Sequence, residues 1–410
     1  MDARTALPLA IFVVTYLVVA AGKFPSLRLD RAGAAFVGAV AMVIVGALSS
    51  SEAIDAVDFS TLGLLLGMMI VVANLRLSGA FAVAARSVLR RANSGFGLLA
   101  VTIAGAGVLA AFFINDVVCL ALAPLLIETA QILQAPPEPF LLALATASNI
   151  GSAATITGNP QNMIVAGYAR LGYIPFAARM APIALIGLVI DFAVIATLYR
   201  GPLRRVRRKR GSGELRRRRF PVRFMIKSSV IATGVLLGFI LGFPTSLVAL
   251  AAGAISLLTR SIRPERVYAL VDWTMLLMFA GLFILVAGAE RTGFEREIIS
   301  WDGADRMANP AVLAGVLAVL SNVVSNVPAV MLFRPLYHSL GFGPQSALII
   351  ASASTLAGNL TVLGSIANLI VLEEARSQRI IIGFYDYLRI GLPITLLTLV
   401  VDVWMLSAGF

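Results

Sequence analysis

Apolar runs broken by short polar interruptions make up most of the chain. They fall near residues 6–21, 32–48, 60–75, 96–114, 117–133, 140–156, 161–169 and 181–199. They resume near 225–242, 245–259, 273–289, 310–324, 327–340, 346–357, 362–372 and 388–407. A helix needs about 20 apolar residues to cross a bilayer, and several of these runs are shorter. The short runs sit side by side in pairs. That spacing predicts re-entrant hairpins over 96–133 and 310–340, and single spans broken in the middle over 140–169 and 346–372.

The two broken spans carry the clearest signal. Residues 146–162 and 352–368 align without gaps, pairing Ala147 with Ala353, Ser148 with Ser354, Thr155 with Thr361, Gly158 with Gly364 and Asn162 with Asn368. Glycines and amides inside an apolar run, with Pro160 in the first stretch, free backbone groups that lipid cannot satisfy. Such a break survives at membrane depth only against protein or a water-filled cavity, which marks a solute site.

The repeat extends further. Val57-Asp58-Phe59 answers Val271-Asp272-Trp273, Asn115 and Pro124 answer Asn326 and Pro335, and Pro182 and Asp191 answer Pro393 and Asp402. Each half has an odd number of crossings, so the second copy is expected inverted relative to the first. The sequence therefore predicts an all-α polytopic membrane protein of two inverted repeats, with about ten spans, two re-entrant hairpins and broken helices at the centre. The first repeat is expected over 1–200, a basic loop over 201–223 and the second repeat over 224–410.

Composition narrows the function. The 410 residues are 59% hydrophobic and 13% charged, with mean hydropathy +0.92, too apolar for a soluble core of this size. One cysteine, Cys119, and one histidine, His338, leave no set of soft metal ligands and no disulfide framework, so no metal site and no cofactor is expected. The formal net charge is +12, but 12 of the 33 basic residues lie between Arg200 and Arg223. That cluster predicts a cytoplasmic anchor on anionic lipid rather than nucleic-acid binding. With it inside, Lys23, Arg28, Arg31, Arg76, Arg86, Arg90, Arg91, Arg260, Arg263, Arg266, Arg376, Arg379 and Arg389 also fall inside. Glu52, Asp55, Glu290, Glu295, Glu297, Asp302 and Asp305 face out, and both termini lie outside. A bacterial cytoplasmic (inner) membrane is the expected location.

Candidate chemistry gathers at the breaks. Asn115 and Asp116 fall at the turn of the first hairpin and Ser325 and Asn326 at that of the second. A carboxyl at mid-membrane is costly and usually serves ion or proton movement, while the helix beginning after each tip offers free N–H groups. Capping is the competing use of these side chains. The broken spans add Ser148, Asn149, Thr155, Asn159 and Asn162, against Thr355, Asn359, Thr361, Ser365 and Asn368, whose amides and hydroxyls can replace a solute's hydration shell. Asp58 and Asp272 read as helix caps, Asp191 and Asp402 as structural partners within the final spans, and Arg334 as a residue snorkelling toward headgroups. No lysine or arginine lies between Asn93 and Arg170. A dianion at the first hairpin would thus lack a counter-charge and be opposed by Asp116, whereas a neutral hydroxide such as arsenous acid meets no such conflict.

At these residues the chain resembles the ion transporter superfamily of arsenite permeases, citrate-transporter-like proteins, sodium/proton antiporters and divalent-anion/sodium symporters. Asn115-Asp116 followed by Pro124, the stretch Ser321-Asn322-Val-Val-Ser325-Asn326-Val-Pro328, and Gly358-Asn-Leu-Thr361-Val-Leu-Gly364-Ser365 are similar to arsenite permease segments. Gly158-Asn159-Pro160-Gln161-Asn162 is closer to the citrate-transporter-like branch, and Thr355 stands where arsenite permeases tend to have an acidic residue. The symporters' Ser-Asn-Thr signature is altered here to Ile114-Asn115-Asp116 and Ser325-Asn326-Val327. The resemblance implies a homodimer in which hairpins and broken helices slide as a unit against a scaffold.

The function expected is secondary active transport of a small anion or oxyanion, with proton-coupled arsenite or antimonite efflux first. Citrate or dicarboxylate transport with proton or sodium coupling is the alternative, and a passive anion channel the second. No nucleophile–base pair suggests an enzyme. No phosphate-binding loop suggests intrinsic nucleotide hydrolysis, which leaves a separate ATPase subunit as an open partner.

Overall fold

A computed structural model describes residues 3–21, 23–24, 29–89, 94–206, 221–259, 261–294 and 304–409. Arg28, Arg90, Arg91, Arg260, Glu295, Glu297, Asp302 and most of the 201–223 basic loop, used above in assigning sides, lie outside the described residues.

Nearly all of the described chain is helical. The first half runs through α1 (Ala3–Ala21), α2 (Arg31–Ile44), α3 (Ser50–Ala56), α4 (Phe59–Ser78), α5 (Ala80–Leu89), α6 (Gly95–Phe112), α7 (Asn115–Ile132), α8 (Glu138–Ser152), α9 (Pro160–Tyr168), α10 (Tyr173–Leu198) and α11 (Arg200–Arg205). The second runs through α12 (Val222–Ile240), α13 (Thr245–Leu257), α14 (Pro264–Tyr268), α15 (Trp273–Glu290), α16 (Pro310–Val324), α17 (Asn326–Ser339), α18 (Pro344–Ala357), α19 (Ile366–Ser377) and α20 (Phe384–Ser407). A two-residue antiparallel ladder pairs Lys23 with Asp30 and Phe24 with Leu29. Among the described residues, 7 helices are long and apolar enough to cross a membrane: α4, α6, α7, α10, α12, α15 and α20.

Local chemistry sets the helix ends. Asp58 and Asp272 act as the N-caps that their positions predict, accepting from the backbone N–H of Thr61 at 3.1 Å and of Met275 at 2.8 Å. Asp30 caps α2 in the same way, through Gly33. Gly79 ends α4 at φ 80°, a left-handed conformation that glycine adopts without steric cost.

Packing is reciprocal between the halves. Helix α4 lies along α13 and α15 along α2; α6 packs on α8 and α16 on α18; α8 packs on α10 and α18 on α20. The short helices cross over, α19 against α7 and α9 against α17. Helix α8 sits so deep that Phe140, Leu141, Leu142 and Ala143 are fully buried, whereas Leu185, Val189, Leu237, Val400 and Trp404 point outward, as on a surface solvated by acyl chains. At one end of the bundle Arg291 Nη2 pairs with Glu52 Oε1 at 2.6 Å.

Candidate functional site

Both broken spans unwind at the same place and are held open by the same device. After α8, residues 153–159 pass through a single 3-10 turn, Ile156–Gly158, before Pro160 starts α9; after α18 the chain passes through Val362–Gly364 before α19. Asn162 Nδ2 reaches back to the carbonyls of Ser152 (3.1 Å) and Thr155 (2.9 Å). Asn368 Nδ2 does the same to Gly358 (2.8 Å) and Thr361 (3.1 Å). These are the equivalent carbonyls, so each asparagine ties its short helix to two backbone oxygens of the unwound segment. The tightness explains Gly158: a Cβ there would stand 2.1 Å from the Ser152 carbonyl oxygen.

A second symmetric pair ties each break to its hairpin. Thr155 Oγ1 donates to the Ala111 carbonyl at the end of α6, and Thr361 Oγ1 donates to Asn322 Oδ1 on α16 at 3.1 Å. Asn322 in turn donates to the carbonyls of Ala318 (3.0 Å) and Ala357 (2.9 Å).

The two halves then interlock, chiefly through side chains. Asn149 donates from Nδ2 to Asn359 Oδ1 (2.9 Å) and Asn368 Oδ1 (3.0 Å), and its Oδ1 accepts from Asn115 Nδ2 (2.9 Å) and Ser365 Oγ (2.9 Å). All four hydrogen-bonding positions of that amide are filled. Its counterpart in the repeat is Thr355, whose hydroxyl accepts from Asn159 Nδ2 (3.2 Å) and Gln161 Nε2 (3.1 Å) and lies 3.4 Å from Asn162 Oδ1. Asn149 thus meets 365 and 368 across the centre as Thr355 meets 159 and 162. Nearer the first hairpin, Cys119 Sγ donates to Ser148 Oγ at 3.1 Å.

The structure gathers the sequence-selected residues into one region and sorts them. All but Asp116, Ser325 and Thr361 are buried. The capping alternative for the tips does not hold: neither α7 nor α17 has a side-chain cap hydrogen bond, Asn115 turns to Asn149 instead, and Asn326 donates to the carbonyls of Ser354 (3.0 Å) and Gly364 (3.1 Å) in the amide orientation that satisfies both of its ends. Ser325 sits at φ 78° and ψ 160°, a region almost exclusive to glycine, so the second tip is strained.

Two cavities front the hairpin tips. One, of about 290 Å³, is lined by Ile114 and Asp116 of the first tip together with Arg76, Val271 and Asp272. The other, of about 270 Å³, is lined by Ser325 and Pro328 of the second tip together with Asp30, Arg31 and Asp272. Asp272, Met275 and Ile366 belong to both, so the cavities adjoin. Each holds one guanidinium against two carboxyl groups, and the network behind them is formed by neutral amides and hydroxyls.

Sequence reading missed several of these residues. Asn322 was visible as part of a polar pair, Ser321-Asn322, within an apolar helix. Arg31, Arg76 and Asp272 were read only as loop charges or caps, since their convergence depends on the tertiary fold. Arg334, expected to snorkel outward, instead lies over the Phe283 ring at 5.5 Å, with Nη1 buried and unpartnered among the described residues.

Comparison with known proteins decides the family. The citrate transporter (CitMHS) family model matches residues 14–341. The chain belongs to the citrate transporter family. Within the curated proteins this family member is 28% identical to the "Silicon efflux transporter LSI3" of Oryza sativa subsp. japonica, over 96% of this chain and 95% of the rice protein. It is 23% identical to the "Putative transporter arsB" of Dictyostelium discoideum, over 96% of this chain and 90% of that protein. Its fold is similar to the crystal structure of the Alcanivorax borkumensis YdaH transporter, with TM-score 0.62 and 16% identity over 99% of this chain and 98% of that chain. The citrate transporter family member is accordingly a multi-pass membrane transporter of the ion transporter superfamily.

Proposed function

We propose that this transporter is a secondary carrier of small oxyacid hydroxides, with arsenite and antimonite exported in exchange for protons. The observation that carries the reading is the charge of the path. The cavities at the hairpin tips hold more carboxyl groups than guanidinium groups, and the amide–hydroxyl network behind them is uncharged. A citrate trianion entering there would face Asp30, Asp116 and Asp272 with only Arg31 and Arg76 to compensate, whereas a neutral polyhydroxide needs only the donors and acceptors that amides supply. The name of the rice relative, a silicon efflux transporter, fits a path for uncharged hydroxides. Citrate is the second reading, favoured by the family's name and by Arg31 and Arg76 in the cavity linings.

Asp116 is the coupling carboxyl in this scheme, since it lines the first-tip cavity and makes no side-chain hydrogen bond among the described residues. Reconstitution into liposomes with arsenite, antimonite, citrate and succinate, under imposed proton or sodium gradients, tests the reading. Arsenite flux driven by a proton gradient and lost in Asp116→Asn is the expected result. Citrate flux driven by sodium, with no arsenite movement, would overturn it.

A further inference from the structure

Behind the broken spans lie two carboxyl groups that the scheme above does not use. Asp191 on α10 and Asp402 on α20 are equivalent in the repeat, and each is fully buried. Asp191 Oδ1 lies 2.8 Å from Thr146 Oγ1, and Asp402 Oδ2 lies 2.8 Å from Ser352 Oγ. Thr146 and Ser352 are themselves equivalent positions in α8 and α18.

The protons available at these contacts bear on the state of the acids. Thr146 Oγ1 is also 2.9 Å from the Leu142 carbonyl oxygen, and Ser352 Oγ is 2.8 Å from the Leu348 carbonyl oxygen. A hydroxyl has one proton, and a carbonyl has none to give. Two contacts of full hydrogen-bond length therefore need a second proton, which only the carboxyl can supply. With the hydroxyl donating to the carbonyl, the carboxylic acid O–H donates to the hydroxyl oxygen. This arrangement leaves the acid's other oxygen as its carbonyl, and Asp191 Oδ2 and Asp402 Oδ1 are indeed without a partner among the described residues. An ionised carboxylate buried without a counter-charge would be far more costly than that orphaned carbonyl.

We propose that Asp191 and Asp402 are neutral carboxylic acids, each donating its O–H to the hydroxyl of Thr146 or Ser352 and so clasping α10 to α8 and α20 to α18 at equivalent places in the two halves.

Infrared spectra of the purified transporter near neutral pH should show the carbonyl stretch of protonated carboxylic acid. Part of that band should be lost in Asp191→Asn and part in Asp402→Asn, and Thr146→Val should shift the Asp191 component. Superimposable spectra would overturn the neutral-acid assignment. Asparagine keeps a donor toward the hydroxyl, so both variants should fold. A band that persists in full in the Asp191→Asn, Asp402→Asn double variant would belong to other acids and would also overturn the proposal.

Discussion

Replacing Asn149 by alanine should be among the most destabilising single changes at the centre. The substitution removes hydrogen bonds to Asn115, Asn359, Ser365 and Asn368 at once, and Asn149 is 1% exposed. Each buried polar group left without a partner costs about 1–3 kcal/mol. Asn359 and Asn368 keep their donor bonds to backbone carbonyls, and a water in the vacated space would recover part of the loss, so the net cost is about 3–5 kcal/mol. The counterpart, Thr355→Val, leaves mainly Gln161 Nε2 unpartnered, because Asn159 retains Ser152, and should cost about 1–2 kcal/mol. Thermal unfolding in detergent followed by tryptophan fluorescence would show the difference. Equal shifts for the two variants, or none for Asn149→Ala, would refute the claim that Asn149 is the joint between the halves.

Other consequences are as specific. Ser325→Gly removes backbone strain at the second tip and should stabilise the protein by about 1 kcal/mol, measured as a raised melting temperature; an unchanged or lower value counts against the strain. Gly151→Ala would place a Cβ 2.2 Å from the Gly107 carbonyl oxygen and force α6 off α8, at a cost of about 1–3 kcal/mol, whereas Gly105→Ala meets nothing within 4 Å and should be tolerated. Equal thermal stability of those two variants would contradict the helix contact. Cys119 is 0% exposed and should react with a maleimide only after denaturation; rapid labelling of the folded protein would place it elsewhere.

The positions of the breaks were legible because glycine and asparagine, with Pro160 in the first, interrupt otherwise apolar runs, a local signal that lipid makes unambiguous. Asn115, Asn149, Asn359, Ser365 and Asn368 were legible as a set of polar side chains at membrane depth. Their partners were not. Asn149 and Asn368 are 219 positions apart, and nothing local encodes that pairing. Nor does composition distinguish an asparagine that faces a solute from one that holds backbone. Asn162 and Asn368 stood out through repetition, and their amide N–H groups go to carbonyls of their own half. Asp191 and Asp402 were expected to pair structurally, and the hydroxyls they meet lie 45 and 50 positions away on different helices. Arg334 was misread because its neighbour Phe283, which draws the guanidinium inward, belongs to another helix.

The account's central claim is that solute binds at the hairpin tips in front of this amide network and is carried, not conducted. Counterflow in liposomes tests it most directly: vesicles loaded with unlabelled arsenite, diluted into a trace of labelled arsenite, with internal label followed over time. The account predicts a transient accumulation of label above its equilibrium level, which disappears in Asn115→Ala. Label that rises monotonically to equilibrium, or an overshoot of the same size in Asn115→Ala, would contradict it.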